Sequence, residues 1–304
     1  MSQSIKNPWW LTALILGLAL SPAALAEDGP APQPAATEAV AATQAQDDGG
    51  LPGETSKVSE SMSDSEATGS SFWANYYGIL YGPSVSDPSS FQSTTGGQRD
   101  PNRPVFVKNF LTAGFNISDH VAAAATGWWN YIPVQGGDMF MQDPSVRLAY
   151  NDIVHTNHFN WYGDIRGYIP ISKPSRQTDL RGGYQTFHYL SYILPNAPVT
   201  FGSYFAARYN QFGAHGSGDD LQLYLAPALS YQSSPTLALV ALYEFSENHA
   251  YGAKPFAMYN DGTVFEPGVE WNVAQSLTLN PYFYIYTNAP SNTGLGATLS
   301  WLMF

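Results

Sequence analysis

From position 72 to the end of the chain, apolar and polar residues alternate with a period of two, in segments broken by Gly, Asn, Asp, Ser and Pro. Alternation of this kind marks strands with one face against apolar surroundings and one against polar ones. Twelve strands are predicted, over 72–82, 104–116, 120–131, 144–152, 157–170, 181–193, 198–211, 220–232, 236–247, 263–273, 276–287 and 293–304. Ten or fourteen are the alternative counts. Long connections (83–103, 132–143, 171–180, 212–219, 248–262) alternate with short ones, and only the last long-side loop, 288–292, is brief. The prediction is an all-β fold, a transmembrane antiparallel up-and-down barrel closed on itself, because an unpaired strand edge has no place in lipid.

Two segments show the facing most clearly. Leu221, Leu223, Leu225, Pro227, Leu229 and Tyr231 make an apolar face, opposed by Gln222, Tyr224, Ala226, Ala228, Ser230 and Gln232. Leu277, Leu279, Pro281, Phe283 and Ile285 likewise oppose Thr278, Asn280, Tyr282, Tyr284 and Tyr286. The first set of each pair is expected toward lipid and the second toward the lumen. Trp128, Trp129, Tyr131, Trp161, Tyr243, Trp271 and Trp301 are expected near strand ends, as interfacial girdles. The same parity gives the lumen its charges: Lys108, Arg147, Asp164, Arg166 and Arg208 on one arc, and Glu244, Glu266 and Glu270 on another. Arg181 is assigned to the basic side, although its strand has aromatic residues on both faces. Tyr282 and Tyr284 complete the expected pore lining.

Composition narrows the class further. Charged residues make up 12% of the chain and aromatics 14%, against about 25% charge in soluble domains. The mean hydropathy is only -0.19, too polar for a bundle of membrane helices but natural for strands with one lipid face and one lumenal face. Ahead of the strands lie two other regions. Residues 1–26 pair Lys6 with an apolar stretch too short to span a membrane and an Ala-Leu-Ala ending at Ala26, the pattern of a cleaved secretory signal peptide. Residues 27–71 lack aromatic residues, and nine acids against Lys57 leave 27–66 at a net charge of -8. Such a segment buries too little apolar surface to offset its ordering entropy, so a disordered, acidic periplasmic extension is expected. With no cysteine, neither a lipid anchor on an N-terminal Cys nor a disulfide framework is available.

The run from Thr293 to Phe304, uncharged and closing on Trp301 and Phe304, resembles the carboxy-terminal insertion signal of bacterial outer-membrane β-barrel proteins. Leu295, Ala297, Leu299, Trp301 and Met303 share one parity there and Phe304 takes the other. The resemblance implies residence in the outer membrane of a Gram-negative cell with both termini periplasmic. It also implies insertion by the barrel assembly machinery and contact with outer-membrane lipids and lipopolysaccharide. The function expected is a porin-like channel for passive diffusion of small hydrophilic solutes through a narrow charged lumen. The alternatives are a non-conducting structural or surface-interaction barrel and an outer-membrane lipid hydrolase. Twelve-stranded outer-membrane phospholipases carry a His-x-Ser-Asn-Gly run, whereas the nearest match here, His155-Thr-Asn-His-Phe-Asn160, lacks the serine. No catalytic residue, cofactor, metal site or nucleic-acid partner is therefore expected. Twelve-stranded porins for acidic oligosaccharides offer a similar architecture, without a shared motif. Asp138, Asp143, Asp219 and Asp220 fall in or beside the outer loops, where calcium or lipopolysaccharide contacts are conceivable.

Overall fold

The computed structural model describes residues 72–93, 104–134 and 137–303, with only the backbone of Asp261. The expectations for 1–71 and for Phe304 lie outside the described residues. Among these residues thirteen strands form: β1 (Phe72–Ser84), β2 (Phe106–Asn116), β3 (Val121–Tyr131), β4 (Met139–Met141), β5 (Ser145–His155), β6 (Phe159–Tyr168), β7 (Leu180–Ile193), β8 (Val199–Phe212), β9 (Asp219–Ser234), β10 (Leu237–Ala250), β11 (Met258–Ala274), β12 (Leu277–Tyr286) and β13 (Gly294–Leu302).

Twelve of them close a barrel. Each strand pairs antiparallel with its neighbours, and β13 returns to β1 with Trp301 opposite Tyr76 and Leu299 opposite Gly78. The thirteenth, β4, hangs on the outer half of β3, with Met141 opposite Trp129. The inner half of β3 pairs directly with β5. The twelve expected strands are thus present, with most ends within a few residues of the expected ones. The largest difference is at β11, which begins at Met258 rather than 263. Both β4 and a five-residue helix, α1 (Lys173–Gln177), arise in loops that carry no periodic signal.

The outer wall is apolar around its circumference. Leu111, Val146, Leu148, Ile165, Phe205, Leu239, Phe283 and Leu295 are exposed on strands otherwise completely paired. A water-soluble barrel would carry charge at those positions, so the belt is a lipid-facing surface. Aromatic side chains crowd both margins. Phe72, Phe115, Tyr192, Tyr231, Trp271 and Trp301 sit at the end with the short turns, and Tyr131, Tyr184, Tyr209 and Tyr259 toward the end with the long loops. Trp128 and Tyr243 depart from the girdle assignment. Trp128 points inward and is buried, its indole N–H donating to the Asp143 carbonyl at 2.7 Å. Tyr243 lies in mid-strand, packed edge-on to Phe245.

Candidate lumenal site

The inner face follows from the register. Residues directly opposite in neighbouring strands share a face, so one inward residue fixes a whole row. Starting from buried Trp73, the row runs through Gly114, Ala124, Arg147, Arg166, Gln185, Arg208 and Gln222 to Asn248. It begins at the second residue of β1 and ends near the far end of β10. That climb is the strand stagger of a tilted barrel. The climb sets three arginines nearly side by side on β5, β6 and β8.

Their surroundings differ. Arg166 grips Asp164, two residues away on the same face of β6, through a fork: Nε donates to Oδ1 at 2.7 Å and Nη2 to Oδ2 at 2.6 Å. Tyr162 donates to the same carboxylate at 3.0 Å. Arg166 also lies over the Phe187 ring, 5.2 Å from its centroid. Arg208 donates to Asn210 at 3.0 Å and stacks on Tyr168 at 4.2 Å. Tyr168 in turn donates to Gln185 at 2.9 Å. Arg147 faces the Trp73 ring, 5.7 Å from its centroid, and its Nε and Nη2 have no hydrogen-bond partner. Lys108 is buried on β2 with its ammonium 5.1 Å from the Tyr81 ring centre. Trp73 reaches Arg147 because Gly114 lies beneath it: a Cβ at Gly114 would stand 2.3 Å from the indole ring.

The other arc is lined by acids and tyrosines. Glu266 lies opposite Leu242 and Glu270 opposite buried Ala238, which puts both carboxylates on the inner face of β11. Glu244, inward on β10, accepts from Tyr224 at 2.5 Å. All three glutamates are partly exposed. Tyr282 and Tyr284 are inward too, but each ring lies along the wall over a glycine of β13, Gly296 and Gly294 respectively. Tyr284 finishes by donating to the Gly82 carbonyl at 2.6 Å. The ten residues expected to line the lumen therefore all lie on the inner face, gathered into the two arcs. Arg181 does not join them. It is exposed at the rim, within the register shift between Leu180 and Gly182, and pairs with Asp179 at 2.6 Å.

Several outer-loop acids prove to be structural anchors. Asp143 is buried and accepts the backbone N–H groups of Ile171 and Ser172 at 2.8 and 2.7 Å, and the Ser175 hydroxyl. It thereby fastens the β6–β7 loop, whose helix α1 is capped by Ser172 accepting from Ser175 N. The loop and Asp143 border a cavity that reaches down to Trp128, Tyr168 and Arg208. Asp219 accepts the Tyr259 hydroxyl on both oxygens at 2.8 Å, and Asp220 pairs with His249 at 2.6 Å. Sequence reasoning missed the Asp143 clasp, although the Ser172-x-x-Ser175 spacing with Pro174 is a helix-start signal. His155 and His158 lie exposed at the short-turn end.

No family model and no curated protein matches the sequence. Solved structures do resemble the fold. An outer-membrane channel from Pseudomonas putida overlays with a TM-score of 0.50 at 10% identity, covering 77% of this chain and 96% of the other. A KdgM porin solved with disordered oligogalacturonate gives 0.43 at 6% identity, covering 76% and 98%. LpxR from Salmonella typhimurium gives 0.39 at 11%, covering 75% and 99%. At such identities the likeness is one of architecture: the chain has the closed, twelve-stranded fold of outer-membrane β-barrels.

Proposed function

We propose that the protein is a porin-like channel of the bacterial outer membrane that lets small hydrophilic solutes diffuse through a narrow, electrically polarised lumen. The observation that carries this reading is the segregation of inward charge, with Lys108, Arg147, Arg166 and Arg208 outnumbering Asp164 on one arc and Glu244, Glu266 and Glu270 on another. Charge set apart in this way makes a transverse field that orders water and orients dipolar solutes, as charged constrictions do in pores. Twelve strands spaced about 4.8 Å and tilted about 40° enclose a backbone diameter of about 24 Å. Large side chains reaching about 6 Å from each wall narrow that to about 12 Å, and the flat-lying Trp73, Tyr282 and Tyr284 spare part of it. The outward apolar belt supports insertion in a bilayer, with the short turns and both ends of the strand array on the periplasmic side.

A sealed structural barrel is the second reading, favoured by the burial of Tyr77, Phe110, Trp128 and Phe187 on the inner wall. Planar-bilayer recording on refolded protein separates the two. The channel reading expects discrete conductance steps. Well-folded protein that never conducts contradicts it and supports the sealed barrel. An assay with detergent-dispersed phospholipid is expected to show no hydrolysis, and turnover there would reinstate the lipid hydrolase.

A further inference from the structure

The inner wall is not open all the way round. On β5 and β6 the inward Arg147, Ala149, Tyr162, Asp164, Arg166 and Tyr168 are all buried, and so are Lys108 and Arg208. This arc is also roofed at its outer end, because Ser172, Ser175 and Thr178 of the β6–β7 loop share one small cavity with Tyr168 and Arg208. On β11, by contrast, the inward row Gly262, Val264, Glu266, Gly268, Glu270 and Asn272 keeps some exposure along its whole length. Gly268 carries no side chain there, and Tyr282 opposite it lies over Gly296 of β13, away from β11. Among the described residues, the inward charges that keep access to water are therefore Glu244, Glu266 and Glu270.

We propose that the aqueous path runs along the inner face of β11 and that Glu266 and Glu270, with Glu244 beside them, select for cationic solutes: alkali cations and small organic ammonium ions. This selectivity rests on the channel reading and gives it a solute class. Over the whole wall the sign of the charge decides nothing, since the three glutamates face Lys108, three arginines and Asp164. Distance decides instead. An ion beside β11 meets carboxylates at contact. Arg147 lies on β5, six strands away from β11 in either direction round the barrel, across a lumen about 12 Å wide. That is farther than the screening length of about 8 Å at physiological salt. Arg208 stands nearer but is packed on Tyr168 beneath the loop. Glu266 and Glu270 are four residues apart on one face, about 13 Å along the strand, and Glu244 is the diagonal neighbour of Glu266. Two acidic stations at that spacing let a cation step from one to the next without tight capture at either.

The chain has no cysteine, so single cysteines report access cleanly in the full-length mature protein folded in detergent. Val264→Cys, two residues from Glu266 on the same face, is compared with Ala149→Cys, buried on β5. Each is treated with a trimethylammonium and with a sulfonate methanethiosulfonate reagent, and every rate is divided by that of a free thiol. Val264→Cys is expected to react severalfold faster with the cationic reagent, and that preference should fall to near one when Glu266→Gln and Glu270→Gln are added. Ala149→Cys should react far more slowly with both. Equal rates at the two cysteines overturn the path. No preference for the cationic reagent, or a preference unchanged without the two carboxylates, overturns the selectivity. Bilayer recording in a potassium chloride gradient should show potassium favoured severalfold over chloride, with Arg208→Gln changing the ratio less than Glu270→Gln. Conductance that favours chloride, or a larger change from Arg208→Gln, refutes the inference alone. Cation-preferring labelling without conductance refutes the channel and leaves the acidic face standing. Should the double variant not fold, Glu270→Gln alone decides, with the same outcomes.

Discussion

The β5–β8 arc and the β10–β12 arc line one interior by different means. On the first, long cationic side chains are buried and held by carboxylate, amide or aromatic partners, as Arg166 is by Asp164 and Arg208 by Asn210 and Tyr168. On the second, the glutamates are partly exposed and the tyrosines lie flat over the glycines of β13. The lesson is that a barrel can carry inward charge in two ways. Packing it into the wall fixes position and field, while leaving it exposed keeps it available to water and solute. Within the packed arc the contrast sharpens, since the Nε and Nη2 of Arg166 are hydrogen-bonded to Asp164 and those of Arg147 have no hydrogen bond.

Breaking that contrast should give the largest effect. Asp164→Asn strips the buried partner from Arg166, and urea unfolding in detergent should show a loss of about 3 to 5 kcal/mol. Arg147→Gln removes a buried cation whose Nε and Nη2 make no hydrogen bond, so it should be neutral or slightly stabilising. A large loss from Arg147→Gln would mean that its charge is satisfied in the folded protein after all.

A smaller effect should follow from disturbing how aromatic rings fold against the wall. Gly114→Leu places a branched side chain where the Trp73 ring lies, and overpacking of this kind costs about 1 to 3 kcal/mol. The displaced indole should also project into the lumen, lowering single-channel conductance. Unchanged stability and conductance would show that Trp73 does not need the glycine.

Much of this was legible in the sequence because strand periodicity is local. Alternation gave all twelve barrel strands, and on β9 and β12 it gave the facing residue by residue. It failed where neighbouring residues are alike. Trp128 and Trp129 offer no parity cue, and β7 carries Tyr184, Phe187, His188, Tyr189 and Tyr192 on both faces, so it takes the pairing of Gln185 with Arg166 and Arg208 to show which side is inward. The side-by-side placement of Arg147 and Arg166 could not be read from spacing either. It depends on the stagger accumulated around the closed barrel, which is a property of the whole sheet. Nor could the Asp143 clasp, which joins backbone groups 28 and 29 residues away, since loops carry no period.

The central claim, a conducting lumen polarised between two arcs, is tested most directly by reversal potentials across a salt gradient in planar bilayers for the parent, Arg208→Gln and Glu270→Gln. Removing the Arg208 charge should shift selectivity toward cations and removing the Glu270 charge toward anions, so the two reversal potentials should move in opposite directions from the parent. Shifts in the same direction, or none from either variant in a conducting, well-folded channel, would contradict the claim.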